Sequence, residues 1–205
     1  MPTRVGTALD ALNAARSTPS GIPMGNYAAV VGAIGALAEA LPMVTALALA
    51  DVTGNLQHLE RCALRSRWRE PTLEQLCDAE LQGAEWRRLL QPRGVNGSAC
   101  TSLLWTQRAM RFVTRMLHAV VVERRGVAAA LGAAYGATLR RHHGFVLRGA
   151  FAVAARAAPS RAAFLANVAE SASDETLLSL LDEMTAIFGA INGLLVGAGL
   201  EAPQP

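Results

Sequence analysis

The stretch that decides the fold covers residues 26–55 and reads NYAAVVGAIGALAEALPMVTALALADVTGN. Its apolar part is long enough to span a bilayer, but Glu39 and Pro42 interrupt it. Proline removes a backbone donor and breaks helices, so we predict two core helices that meet at Pro42. The polar residues Asp51 and Asn55 then follow directly within the second helix.

One face of that second helix carries a polar stripe. At about 100° per residue, four side chains project within roughly 60° of one another: Asp51, Asn55, His58 and Cys62. A buried carboxylate is costly without partners. The stripe is therefore either a satisfied structural network, with Asp51 as a helix cap, or a recognition site. These residues alone leave both interpretations open.

Composition favours a single helical domain. The chain has 205 residues, of which 52% are hydrophobic and only 5% aromatic, enough for one sizeable core of packed helices. All 19 basic residues are arginine and the net charge is only +3. Because no aromatic residues interleave the arginine clusters, we expect no nucleic-acid partner, whereas attraction to an anionic membrane surface stays open.

The cysteines and the first residues bear on the compartment. Cys62, Cys77 and Cys100 are an odd set at irregular spacing, so they predict neither a zinc site nor a disulfide framework. We expect no metal and no cofactor. The opening MPTRVGTALDALNAARS lacks the apolar core of a signal peptide. The expected location is cytoplasmic, peripheral at membrane surfaces.

Hydrophobic periodicity and capping residues outline the chain. They predict a polar lead-in over residues 1–22, one domain over residues 23–200 and a frayed tail over residues 201–205. Helices joined by short connections are expected within the domain, with a brief turn at Trp86. They run from about 27 to 40, 42 to 65, 72 to 83, 98 or 101 to 123, 127 to 157, 160 to 170 and 173 to 196.

A second informative segment reads LLWTQRAMRF over residues 103–112. On a helix, Trp105, Phe112 and Met116 lie on one face, and Arg108 flanks them. We interpret Phe112 and Met116 as core. A tryptophan beside an arginine can also form a flat platform, on which the C–H face of a sugar ring stacks.

The third segment reads LRRHHGF over residues 139–145. Adjacent residues on a helix point about 100° apart, so His142 and His143 cannot face the same ligand. His143 shares a face with Leu139 and Leu147 and is expected inside, with His142 outside. An inward histidine is more often a satisfied core residue than a ligand, and this pair makes a poor metal site.

Together the three segments resemble the glycolipid transfer protein family. Its ligand motif Asp-x-x-x-Asn-x-x-Lys is similar to residues 51–58, and its motif Leu-Trp-x-x-Arg-x-x-x-Phe is matched by residues 104–112. Its Tyr-x-x-x-Leu segment and His-Gly-aromatic signature are matched by residues 135–139 and 143–145. The resemblance covers roughly residues 27–187, in order and with matching spacing.

The resemblance implies an all-α, two-layer α-helical sandwich of about eight helices that holds one lipid between its layers. Carried over, Asp51 and Asn55 bond sugar hydroxyls and the sphingosine backbone, Trp105 stacks the first sugar, and His143 bonds the ceramide amide. The implied function is to move one glycosylated sphingolipid between membranes, in transient contact with their surfaces. No covalent chemistry is required, and the protein is not expected to be an enzyme.

The chain departs from the family pattern at His58, at Phe145 and at Arg156, where the family often has an aromatic residue. His58 replaces the family's lysine; it is mostly neutral at pH 7, and Arg61 one turn later is a possible substitute. Phe145 stands where the family has a membrane-docking tryptophan, so docking is expected through Phe145 and Val146.

Three alternatives bear on the ligand. The branch that binds ceramide-1-phosphate has arginine at the positions of Trp105 and Thr101, whereas Arg108 is shared by both branches, so the sugar-binding branch is favoured. A carrier of ceramide-1-phosphate or another lipid headgroup remains the alternative, and so does a lipid sensor or adaptor that uses the same pocket. A hydrolase is disfavoured because no nucleophile is placed with His143.

Overall fold

The computed structural model describes residues 3–16, 21–38, 41–82, 98–169 and 172–201. These ranges contain α-helices and one short 3-10 turn, with no β-strand, which confirms the all-α class. The helices are α1 (Arg4–Ala14), α2 (Met24–Ala38), α3 (Pro42–Arg65), α4 (Leu73–Leu81), α5 (Ala99–Val121), α6 (Val127–Ala137), α7 (Phe145–Arg156), α8 (Arg161–Ala169) and α9 (Asp174–Gly197); the 3-10 turn is Arg140–His142.

Helix α5 is the centre of the two-layer sandwich. It packs against α2, α3, α4, α6 and α9, while α1 packs against α2, α8 and α9. Fifteen of its side chains are buried, more than an amphipathic surface helix needs, because partners cover it on several sides. Helix α7 bridges α6 and α3, which brings the third sequence segment to the polar stripe of α3.

The predicted break at Pro42 is confirmed. Helix α2 ends at Ala38 and α3 begins at Pro42, where a proline at the first helical position costs no hydrogen bond. Among the described residues, one helix, α9, is long and apolar enough to cross a membrane. It packs against α1 and α5 and buries eight side chains, as the core helix of a folded domain does.

Side-chain caps hold the helix that carries Trp105. The Ser98 hydroxyl accepts from the backbone N–H of Thr101 at 3.2 Å. The Glu80 carboxylate of α4 accepts from the Ser98 hydroxyl at 2.6 Å and from the N–H groups of Ala99 and Cys100 at 2.5 and 3.0 Å. A carboxylate at a helix N-terminus is favourable, so α4 locks the start of α5.

Residues 1–22 were predicted as a polar lead-in, and this is wrong. Residues 4–14 form α1, in which Val5, Ala8 and Leu12 are buried against the core. These residues recur at helical spacing on one face, and the polar residues between them face outward. A short apolar stripe in a polar segment is a weak signal until the helices that cover it are known.

The helix predicted from 127 to 157 is two helices. Thr138 leaves helical geometry with φ −120° and ψ −71°, and its hydroxyl donates to the carbonyl of Ala134 at 2.7 Å. His143 and Gly144 are extended, and α7 starts after them. Gly144 is a poor helix former, but residues 138–144 contain no proline that would have marked the break.

The tail was predicted to be frayed from residue 201, but Glu201 is anchored. Its side chain is only 5% exposed, and its two oxygens bond Arg108 and Arg141. The predictions for Trp86 and for residues 202–205 fall outside the described residues.

Candidate functional site

The polar stripe of α3 lies in the interior of a long helix. Asp51 lies nine residues after Pro42, the first residue of α3, so it is not an N-cap. Its side chain is exposed, and among the described residues its carboxylate makes no hydrogen bond or ion pair. Asn55 is 3% exposed and donates its Nδ2 to the Asp51 carbonyl at 2.8 Å. The stripe therefore offers a carboxylate that the helix itself does not use.

His58 continues the stripe beside Cys62. Its Nε2 lies 3.5 Å from the Cys62 Sγ. Partial burial lowers the pKa of His58, and Arg61 and Arg65 lower it further against the opposing charge of Glu80. His58 is therefore neutral at pH 7, and the exposed Arg61 and Arg65 are the permanent cations that act on it.

His143 faces the stripe from the turn before α7. Its Nδ1 lies 3.0 Å from the Tyr135 hydroxyl, and the Tyr135 ring stacks on Phe151 with centroids 3.8 Å apart. Burial lowers the pKa of His143, while the negative charge of Asp51 acts to raise it. Helix α7, which begins two residues after His143, packs against α3, the helix that carries Asp51. Tyr135, which orients the imidazole, was not predicted as a site residue.

His142 was expected to point outward, and this is wrong. Both histidines are half-buried, because His142 ends a 3-10 turn and His143 has extended backbone. The His142 ring meets Trp105 edge-on, with centroids 5.8 Å apart. Burial, with Arg108 and Arg141, lowers the pKa of His142 to about 4. Each histidine thus serves a different part of the site.

Trp105 is half-buried on α5 with charged and aromatic neighbours. The Arg108 guanidinium carbon lies 4.9 Å from the centroid of its ring, and His142 packs against the ring from another direction. Phe112 and Met116 are buried, as predicted for core residues. The structure therefore places Arg108 against the ring of Trp105.

Arg108 is also an ion-pair partner. Its Nε donates to Glu201 Oε2 at 2.7 Å, and Arg141 Nη2 donates to Glu201 Oε1 at 3.2 Å. Neither Glu201 nor Arg141 was predicted as part of the site. Helical periodicity could not indicate them, because both lie outside the α-helices.

An apolar edge adjoins His143. Phe145 and Val146 are 91% and 81% exposed at the start of α7, with Leu147 beside them. Arg148 on the same helix donates to the Arg140 carbonyl at 3.0 Å. Exposed apolar side chains flanked by arginines are typical of a surface that meets a membrane interface.

A separate cavity of about 580 Å³ opens among α5, α6 and α9, near Arg111 and Arg115. None of the predicted site residues lines it. Among the described residues, no group of three His, Cys, Asp or Glu side chains is placed to hold a metal ion.

Comparison with known proteins agrees with this geometry. The family model described as Glycolipid transfer protein (GLTP) matches residues 22–170. Pleckstrin homology domain-containing family A member 8 of Rattus norvegicus is 34% identical over 148 residues, covering 72% of this chain and 27% of that protein. The chain thus spans about a quarter of that relative. Glycolipid transfer protein of Danio rerio is 27% identical over 153 residues, covering 70% of this chain and 69% of that protein.

Solved structures share the architecture over nearly the whole chain. A structure described as showing how FAPP2 selects simple glycosphingolipids using the GLTP-fold has a TM-score of 0.81 and 28% identity, covering 98% of both chains. The apo form of mouse ceramide-1-phosphate transfer protein has a TM-score of 0.80 and 22% identity, covering 97% of this chain and 99% of that one; this likeness concerns the fold alone. From the matched residues and the shared fold, the chain belongs to the glycolipid transfer protein family.

Proposed function

We propose that the protein carries one glycosylated lipid, with a ceramide-like backbone, between membranes without covalent chemistry. The observation that carries the proposal is that two adjacent histidines lie beside two different groups of the site. His142 packs on Trp105, and the next residue, His143, is coupled to Asp51. Because His142 and His143 are consecutive residues, the aromatic ring and the free carboxylate border the same turn of the chain, where one headgroup can contact both.

The chemistry of these groups suits a neutral sugar. The indole of Trp105 offers a flat face to the C–H side of a sugar ring, and the Asp51 carboxylate accepts from its hydroxyls. Tyr135 engages the Nδ1 of His143, so Nε2 is the ring nitrogen that can bond a lipid amide. Recognition of this kind needs acceptors and an aromatic surface rather than a strong positive charge.

Transfer follows from the cost of exposing lipid chains to water. Each exposed CH₂ costs about 0.8 kcal/mol, so unassisted passage of a lipid between bilayers is very slow. A helical sandwich that admits the chains between its layers removes most of that cost. The protein acts as a carrier, and the lipid leaves with its covalent bonds unchanged.

Docking is proposed at the edge formed by Phe145 and Val146. Only Gly144 separates this edge from His143, so insertion of the edge into a bilayer brings the headgroup centre to the interface. Arginines on the same turn favour anionic lipids. The proposed site of action is the cytoplasmic face of membranes, to which the protein binds transiently.

The first prediction concerns the free carboxylate. Asp51→Val should reduce glycolipid transfer between vesicles at least tenfold, because no other carboxylate in the described stripe of α3 can accept from the sugar. Far-UV circular dichroism and the Tm should stay close to wild type, since the Asp51 side chain is exposed. Asp182→Val, at an exposed position of α9, controls for the valine. Undiminished transfer by folded Asp51→Val would contradict this site, whereas extraction without transfer would indicate a sensor.

The second prediction concerns headgroup class. Trp105→Ala should weaken binding of a glycosylated ceramide roughly five- to tenfold, and binding of ceramide itself less, because only the sugar stacks on the ring. Trp68→Ala is a matched control, since Trp68 also carries an arginine, Arg67, at 4.6 Å. Equal losses for both lipids would show that Trp105 is structural only.

The third prediction concerns His58 and pH. Since its pKa is lowered in the folded protein, wild-type affinity should be constant from pH 8 to about 6.5 and rise only as the pH falls below that range. His58→Lys should bind glycolipid about tenfold more tightly at pH 7 by supplying a charged donor.

The control for that titration is His58→Gln, which should not gain affinity in acid. Identical profiles for wild type and His58→Gln would mean that His58 has no part in binding. In that case Arg61→Gln tests whether the neighbouring arginine supplies the charge instead.

The fourth prediction concerns docking. Phe145→Ala should lower partition onto vesicles about tenfold, the effect of removing one inserted aromatic side chain, and should slow transfer accordingly. Binding of a water-soluble, short-chain glycolipid should not change. Leu178→Ala, a partly exposed position on α9, is the control. Unchanged partition of Phe145→Ala would contradict docking at this edge.

A further inference from the structure

Glu201 lies among positively charged side chains that converge from two elements. Arg108 and Arg111 come from α5, and Arg141 comes from the 3-10 turn. Arg108 and Arg141 pair with Glu201 directly. The charge of Glu201 also acts on Arg111, opposing the lowering of its pKa by burial and by neighbouring Arg115. One carboxylate thus offsets part of the charge of three guanidinium groups, of which that of Arg108 lies against Trp105.

The two carboxylate oxygens of Glu201 accept hydrogen bonds from two different arginines. Oε2 takes the Nε proton of Arg108 at 2.7 Å, and Oε1 takes an Nη2 proton of Arg141 at 3.2 Å. The side chains of Glu201 and Arg108 are 5% and 13% exposed. Removing one member of a buried charge pair is costly, so this carboxylate does not yield its place readily to a ligand.

The same ion pairs close a ring of contacts around the platform. Arg108 lies on the face of Trp105, and His142 meets the Trp105 edge. Arg141 Nε donates to His142 Nε2 at 2.9 Å, and Glu201 joins Arg141 to Arg108. Every member of the ring therefore has its orientation set by two neighbours.

A phosphate monoester would need these same guanidinium groups. Arginines bind phosphate by parallel charge-assisted hydrogen bonds, which require free N–H groups and a net positive site. Here the Nε of Arg108 and an Nη2 proton of Arg141 are already engaged by a carboxylate. A phosphate brought to this place would also meet the negative charge of Glu201.

We propose that Glu201 selects the headgroup class, by engaging Arg108 and Arg141 and so excluding phosphate headgroups while leaving Trp105 positioned for a sugar. This inference rests on the proposed lipid-carrier function and adds to it the residue that sets specificity. Arg108 is then a positioning residue for the Trp105 ring, rather than a phosphate ligand.

The test is competition between two lipids of identical acyl chain, galactosylceramide and ceramide-1-phosphate, each presented in phosphatidylcholine vesicles. Wild type should prefer the glycolipid. Glu201→Gln keeps the size of the side chain but removes its charge, and should shift the preference toward ceramide-1-phosphate at least tenfold. That gain should fall with added salt, because it depends on charge.

Two further variants sharpen the result. Glu183→Gln is the matched control. Glu183 lies on α9 and pairs with Arg16, away from Trp105, so removing its charge should leave the lipid preference unchanged. Combining Glu201→Gln with Arg108→Gln should cancel most of the phosphate gain, because one of the freed guanidinium groups is then gone.

The outcomes distinguish failure of the carrier function from failure of the proposed role of Glu201. If wild type binds neither lipid, the proposed carrier function fails. If wild type binds the glycolipid and folded Glu201→Gln keeps the same preference, the role of Glu201 is overturned. Should Glu201→Gln not fold, Glu201→Asp retains the charge but is one methylene too short to hold both arginines. It should then show a smaller shift, and an unchanged preference would again overturn the inference.

Discussion

The break between α6 and α7 is the constraint on which the candidate site depends. If residues 138–144 continued as a helix, His142 and His143 would diverge by about 100° on one cylinder, and one of them would face solvent. The 3-10 turn and the extended backbone at His143 let both rings turn inward. One ring then packs on Trp105 of α5, and the other is coupled to Asp51 of α3. An irregular segment thereby joins two regular helices into one centre.

Charge in this centre is arranged so that few groups remain free. Burial lowers the pKa values of His58, His142 and His143, which leaves the imidazoles neutral at pH 7. Glu201 engages two arginines. Among the described residues of this centre, the Asp51 carboxylate is the exposed anion without a hydrogen bond or ion pair. A site with this balance suits a ligand rich in hydroxyl donors better than one that carries a negative charge.

Sequence alone could predict those parts of the fold that depend on local signals. Pro42 marked the start of α3, Ser173 that of α9, and Ser98, the earlier of two predicted positions, that of α5, because capping and proline chemistry act within one helical turn. Helix α1 was missed because its short apolar stripe acquires meaning only when other helices cover it. Motif spacing predicted Asp51 and Asn55 on α3 and Trp105 on α5, and the His-Gly-aromatic signature predicted His143 in the extended backbone before α7. His142 and Glu201 were missed because their roles arise from contacts between segments far apart in sequence, which periodicity does not record.

In the proposed function, the order of residues 143–146 links recognition to the membrane. His143 is part of the proposed headgroup centre, Gly144 has no side chain, and Phe145 with Val146 forms the exposed apolar edge. In the proposed function, a protein docked by this edge presents its headgroup centre at the depth where lipid headgroups lie. Selection by Trp105 and Glu201 would then occur before the acyl chains leave the bilayer, when rejecting a wrong lipid costs little. A selective contact placed deep in the sandwich would act only after the chains had been extracted, at about 0.8 kcal/mol for each CH₂ left in water during a failed attempt. Selection at the interface is therefore the arrangement that a carrier needs in order to be both fast and specific.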